Sequence, residues 1–194
     1  PAIGFRQYVS EKSLRDYMFL NEMSKNVDGY RLSTYLYKDK YSKGGKLRVG
    51  PAWDYDIAWM NADYCDAPVA TGWAYNVGYV CAGAGMPAWW ERLRQDSLFN
   101  QHLYCRWNYL RSNVLSFDSV LGYIDSTAAY LEEGQQRNFE TWPILGQPTW
   151  PEPTPLPQTY AEEITRLKDW VNVRFTWLDQ QFNALAHNDV PVTL

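Results

Sequence analysis

The chain has 194 residues, 46% of them apolar, and a formal net charge of −4, which suits one domain large enough to bury a sizeable core. Its Lys and Arg are interspersed with Asp and Glu and form no basic block, which argues against nucleic-acid binding. No apolar run approaches the roughly 18 residues of a membrane span, and Pro1, with neither initiator Met nor signal peptide, reads as the start of a piece cut from a longer polypeptide.

Residues 10–25 predict a helix with Ser10 as N-cap and Leu14, Tyr17, Met18, Leu20 and Met23 on its apolar face. Asn26-Val27-Asp28-Gly29 ends it with turn chemistry. Residues 33–38 are β-branched and aromatic, and predict a strand; residues 39–45 form a hairpin loop and residues 46–49 the return strand. Residues 61–85 predict a long irregular connection, of a length usually associated with function or cross-linking. Three helices follow: 88–95, then one capped by Asp96 with Phe99, Leu103, Trp107, Leu110 and Val114 inward, then 118–136. Residues 142–157 hold six of the eleven prolines and predict an extended surface strap anchored by Trp142, Ile144, Leu145 and Trp150, with Arg137 and Asn138 helping to hold it. Thr159-Tyr160-Ala161-Glu162 is a capping box that opens a long last helix with Ile164, Leu167, Val171, Leu178 and Phe182 inward. Residues 187–194 predict a frayed tail. The fold class is α+β, with a hairpin near the start and a helical majority.

Ten Trp and fifteen Tyr carry large apolar area with one polar handle each, and predict aromatic stiffening of core and surface; a glycan-stacking surface is the alternative. Cys65 and Cys81 flank a loop that a disulfide would close into a short ring, leaving Cys105 as a buried free thiol; three reduced cysteines are the alternative. Zinc-type spacing is absent, and the histidines are His102 and His187 alone.

The chemistry concentrates between residues 26 and 56. Asp28 sits on the turn after a helix, Ser33 follows five residues later, and Asp54 and Asp56 come after the hairpin. Phosphoryl transfer needs these parts in this order: a carboxylate for the acceptor hydroxyl, then a side-chain oxygen and a second carboxylate for a divalent ion. Asp and Ser supply the hard oxygens magnesium prefers. In an extended strand Asp54 and Asp56 would face opposite ways, so only one of them would share a pocket with Asp28; local twist relaxes that alternation, and both are candidates. Asp63 and Asp66 are a weaker alternative, an oxygen-rich calcium site without the EF-hand spacing.

Residues 20–39, with Asn26-Val27-Asp28-Gly29 and a tyrosine-rich strand, and residues 46–56, with Pro51-Ala52-Trp53-Asp54-Tyr55-Asp56, resemble the CotH kinase family, the spore coat protein H-like atypical kinases of bacteria. Further similarity lies in Asn61-Ala-Asp-Tyr-Cys65, Trp89-Trp-Glu-Arg-Leu93, Arg137-Asn-Phe139, Trp142-Pro-Ile-Leu145 and Lys168-Asp-Trp170. The resemblance implies a mostly helical, kinase C-lobe-like domain over residues 1–186. It implies Asp28 as catalytic aspartate, Asp54 as the principal metal ligand, and Ser33 and Asp56 as further candidate ligands. ATP and Mg²⁺ (or Mn²⁺) are the implied cofactors, a protein Ser/Thr hydroxyl the implied acceptor, and an extracellular or cell-surface location is expected. The family's nucleotide-gripping lobe and its ATP-positioning lysine would precede Pro1, so this segment alone is not expected to phosphorylate anything. Relatives often carry Phe-Gly where this chain has Trp59-Met60, which puts a bulky residue in the loop after the metal site. The alternative from another class is a non-catalytic extracellular module that binds glycan or coat and scaffold proteins.

Overall fold

The structure, a computed structural model, describes residues 4–186; the predicted tail and His187 lie outside the described residues. Helix α1 (Glu11–Ser24) starts where Ser10 leaves the helical region and accepts the Ser13 N–H at 3.4 Å. Leu14, Tyr17, Met18, Phe19 and Met23 are buried, whereas Leu20 is exposed, so the inward stripe runs through Phe19 and not through its neighbour. The helix stops at Lys25, which takes a left-handed conformation (φ 46°) and returns its N–H to Asn21 and Glu22 carbonyls.

Strands β1 (Leu36–Lys38) and β2 (Leu47–Val49) form the antiparallel hairpin, with Leu36 opposite Val49 and Lys38 opposite Leu47. The first strand begins later than its composition predicts. Ser33 and Thr34 are already committed elsewhere: the Ser33 N–H bonds the Asp28 carbonyl at 3.0 Å and the Thr34 hydroxyl bonds the Gly29 carbonyl. Backbone held by a loop has no ladder to join.

Helices α2 (Trp89–Arg94) and α3 (Ser97–Arg111) follow, the latter capped by Asp96, which accepts the Phe99 N–H at 2.7 Å. Helix α3 ends at Arg111, so Val114, expected inward, lies beyond it and is exposed. The next predicted helix is two, α4 (Phe117–Tyr130) and α5 (Glu132–Thr141), broken at Leu131. Arg137 therefore lies on α5 and pairs with Glu133 of the same helix, while the Asn138 carbonyl accepts the N–H of Trp142, the first residue of the Pro-rich segment, at 2.8 Å. Helix α6 (Tyr160–Asn183) opens with Thr159 accepting the Glu162 N–H at 3.2 Å. Glu162 reaches one residue past the cap, to the Gln158 N–H at 2.6 Å.

The main core lies where α1, α3 and α6 meet. Phe19, Trp107 and Phe182 interlock there, with ring centroids 4.8–5.7 Å apart. Each such side chain contributes about 2–3 kcal/mol through apolar burial. The buried Trp107 ring N–H donates to Asp179 at 2.8 Å, so its polar handle is satisfied. Trp90, Trp107 and Trp170 are buried and Trp59, Trp73 and Trp177 pack against the same core, so much of the aromatic surplus is packing material. A second, smaller core joins Val27 to Ala62, Ala67, Val77 and Ala84. Its small residues let backbones approach closely, and a Cβ at Gly78 would meet the Ala84 carbonyl at 2.7 Å. Cys65 and Cys81 border it and are disulfide-bonded, with Cα atoms 4.7 Å apart; Cys105 is free and half-buried.

Side chains hold the irregular connection in place. The Trp170 ring N–H donates to the Pro68 carbonyl, Lys25 to those of Val69 and Thr71, and Arg174 to those of Ala70 and Gly72. Five consecutive carbonyls are thus satisfied without a helix or strand. Arg174 also binds Glu22 at 3.0 Å; both are fully buried, and Glu22 further accepts from Tyr30 and from the N–H groups of Ala74 and Tyr75. This clamp fastens the connection and α6 to the end of α1, just before the turn that carries Asp28.

Candidate functional site

The turn after α1 is organised by Asn26, which is fully buried. Its side-chain oxygen accepts the Asp28 N–H at 3.1 Å, and its amide donates to the Asp54 carbonyl at 3.1 Å. The first contact is an Asx turn that shapes the loop locally. The second ties that loop to a segment far along the chain. The Asp28 carbonyl then gathers the N–H groups of Arg31, Leu32 and Ser33 at 3.0–3.3 Å, closing the five-residue interval to Ser33. Tyr17, from α1, donates its hydroxyl to the carbonyls of Gly29 and Ser33. Gly29 has to be glycine, because a Cβ there would meet the Asn21 side chain at 1.8 Å.

Ser33 and Asp54 are brought into contact, with the Ser33 hydroxyl donating to Asp54 Oδ2 at 2.8 Å. Asp28 is linked to both through Asn26 and the Ser33 N–H, and its own carboxylate pairs with Arg31 at 2.8 Å. Asp54 has φ +64°, a left-handed backbone, so the strand alternation expected to separate Asp54 from Asp56 does not hold here. The Asp56 carbonyl accepts from Asn61 at 2.7 Å. Tyr64 lies close to this acidic group: burial first, then the negative charges of Asp28 and Asp56, push its hydroxyl pKa above the ordinary tyrosine value. Tyr64 in turn stacks on Trp150 of the Pro-rich segment, with centroids 6.2 Å apart and planes 15° apart.

Among the described residues no group of three or more His, Cys, Asp or Glu side chains is placed to hold a metal ion. The Ser33–Asp54 pair is a smaller set of hard oxygens. It fits an ion such as magnesium, which keeps several waters and is held through one or two carboxylates together with substrate phosphates. It does not make an all-protein cage of the calcium type.

Trp59 and Met60 both adopt left-handed backbone, with φ 56° and 66°. A non-glycine residue there costs about 1–2 kcal/mol. The Trp59 N–H donates to the Ser24 carbonyl at 2.7 Å, and its ring meets Trp170 edge-on at 6.3 Å, so the loop is fixed against α1 and α6 despite the Met.

The sequence profile of the family described as CotH kinase protein matches residues 4–178. The chain belongs to the CotH kinase family. No curated protein and no solved structure gave a match. For a CotH-family chain the sequence reading named Asp28, Ser33, Asp54 and Asp56 as candidates, and the structure adds the groups that position them, which that reading did not name. Asn26 was legible as the first residue of an Asn-x-Asp turn, though its grip on Asp54 was not. Glu22 and Arg174 could have been found as charges at core positions, since Met18 and Glu22 are one turn apart on α1, and Val171, Arg174 and Leu178 share a face of α6.

Proposed function

We propose that this CotH-family chain is the catalytic lobe of an ATP-dependent protein kinase. Asp28 faces the acceptor hydroxyl, and Ser33 and Asp54 hold a divalent ion, with Asp56 as an additional acidic ligand. The observation that carries the reading is the Ser33–Asp54 hydrogen bond, made across the hairpin and hung from the same turn as Asp28. When bound, Mg²⁺ (or Mn²⁺) and ATP supply charge neutralisation and the phosphoryl group. Arg31 binds Asp28 Oδ1 and leaves Oδ2 to accept the proton of a Ser or Thr hydroxyl as that oxygen bonds phosphorus and the bond to the ADP oxygen breaks. Arg31 also restricts the carboxylate's rotamer.

In this reading the described residues contribute the acceptor and metal chemistry. The Cys65–Cys81 disulfide supports an extracellular or cell-surface setting, where such bonds persist. The test is phosphoryl transfer by the full parent polypeptide with Mg²⁺ or Mn²⁺. Asp28→Ala is expected to lower transfer about 10²–10⁴-fold, with the melting temperature unchanged. Transfer equal to wild type would remove the assignment.

A further inference from the structure

The aromatic side chains left outside the core are unevenly placed. Trp142 and Trp150, expected as anchors of the Pro-rich segment, are largely exposed. Turns closed by Gln147 N–H to Ile144 and Glu152 N–H to Thr149 interrupt that segment, so it is no continuous polyproline helix. Tyr35 and Trp53 are exposed in a different setting, beside the Ser33–Asp54 pair. They are 52% and 44% exposed, and their rings meet with centroids 5.2 Å apart and planes at 44°.

Two successive contacts join the segment after Asp28 to the segment after β2. The first is the Ser33–Asp54 hydrogen bond at 2.8 Å, and the second is the Tyr35–Trp53 ring contact. Trp53 directly precedes Asp54, and Tyr35 lies two residues beyond Ser33, about 6–7 Å along an extended chain. The backbone under both rings is held. The Gly50 N–H donates to the Tyr35 carbonyl at 3.0 Å, which carries the hairpin pairing one residue past Leu36 and Val49. The Asp54 carbonyl, next to Trp53, accepts from Asn26 at 3.1 Å. Rings that keep about half their area in water add little to the core, so this pair offers a fixed π-surface beside a pair of hard oxygens.

We propose that Tyr35 and Trp53 form a stacking platform for the base of the nucleotide whose phosphates meet the divalent ion at Ser33 and Asp54. The proposal rests on the metal-site reading above and adds to it a seat for the nucleoside. A nucleoside triphosphate has metal-binding phosphates at one end and a planar heteroaromatic ring at the other, joined through one sugar. The two contacts present the matching surfaces side by side. A sugar ring of a glycan or an aromatic side chain of a partner would stack on the same rings but make no use of the oxygens next to them. Stacking engages the face of a base and not its hydrogen-bonding edge, so the platform adds affinity for any base and leaves the choice among bases to other groups.

The test is calorimetric binding of two ligands to the parent polypeptide with Mn²⁺: a non-hydrolysable ATP analogue, and inorganic tripolyphosphate, which has the phosphates without the base. Tyr35→Ala with Trp53→Ala is expected to weaken the analogue about tenfold and to leave tripolyphosphate and the melting temperature unchanged. Tyr35→Phe with Trp53→Phe, which keeps two ring faces, is expected to hold the analogue close to wild type. Asp54→Ala is expected to weaken both ligands. Loss in Asp54→Ala with none in the double alanine variant would overturn the platform and leave the metal site standing. Equal loss of both ligands in the double alanine variant would also overturn it, because that reports damage at the phosphate end. Both ligands held as in wild type by Asp54→Ala would remove the metal site, and the platform's assignment with it.

Discussion

Two acidic centres flank the end of α1, and they use charge in opposite ways. Glu22 is wholly buried, and every partner it has is a fixed structural group: Arg174, Tyr30 and two backbone N–H groups. Asp28 and Asp54 reach the surface, and among the described residues the carboxylate of each has one side-chain hydrogen-bond partner, Arg31 and Ser33 respectively. A carboxylate in the first setting has spent its lone pairs on holding the fold. In the second it retains acceptor capacity for a ligand. Buried charge here sets positions, and exposed charge next to it keeps free acceptor capacity.

Breaking the first centre should be felt in stability alone. Arg174→Met strands Glu22 and frees the Ala70 and Gly72 carbonyls, and should destabilise the domain by about 3–5 kcal/mol in a urea titration. A loss under ~1 kcal/mol would mean the clamp is dispensable. Cys65→Ser with Cys81→Ser removes a cross-link spanning 16 residues and should cost about 3 kcal/mol. Thiol counting of the unreduced, denatured protein should find Cys105 alone.

Lys25 gives a pH-dependent version of the same test. Burial first, then the charge of Arg174, depresses its ammonium to about 8. Because the folded value lies below the ordinary 10.5, the unfolded chain binds the extra proton between these limits, and stability rises with pH across that window. The rise should be on the order of 1–3 kcal/mol, and Lys25→Met should flatten it. At the second centre, Ser33→Ala removes one partly exposed hydrogen bond and should change stability by less than about 1 kcal/mol. It should still slow phosphoryl transfer by the parent, and a variant as fast as wild type would separate Ser33 from the metal site.

The legible parts of the sequence were those governed by local rules. Helix caps at Ser10, Asp96 and Thr159 stand where their side chains predict, because capping needs only neighbours a few residues away. The Asp28-to-Ser33 spacing was readable for the same reason. Strand length was misjudged because Ser33 and Thr34 are captured by Asp28, Gly29 and Tyr17, contacts that composition does not register. The alternation argument for Asp54 and Asp56 assumed an extended backbone, which a single positive φ at Asp54 removes. Long-range ties were not legible as pairs: Asn26 gave no sign of reaching Asp54, and Arg174 and Glu22 stood out only as single charges at core positions.

The direct test of the divalent-ion site is Mn²⁺ binding by the parent polypeptide with a non-hydrolysable ATP analogue, read by electron paramagnetic resonance. Asp54→Ala should weaken binding by at least about tenfold, whereas Asp28→Ala, which removes a proton acceptor and no ligand, should leave it close to wild type. Mn²⁺ held equally well by Asp54→Ala and wild type would contradict the account.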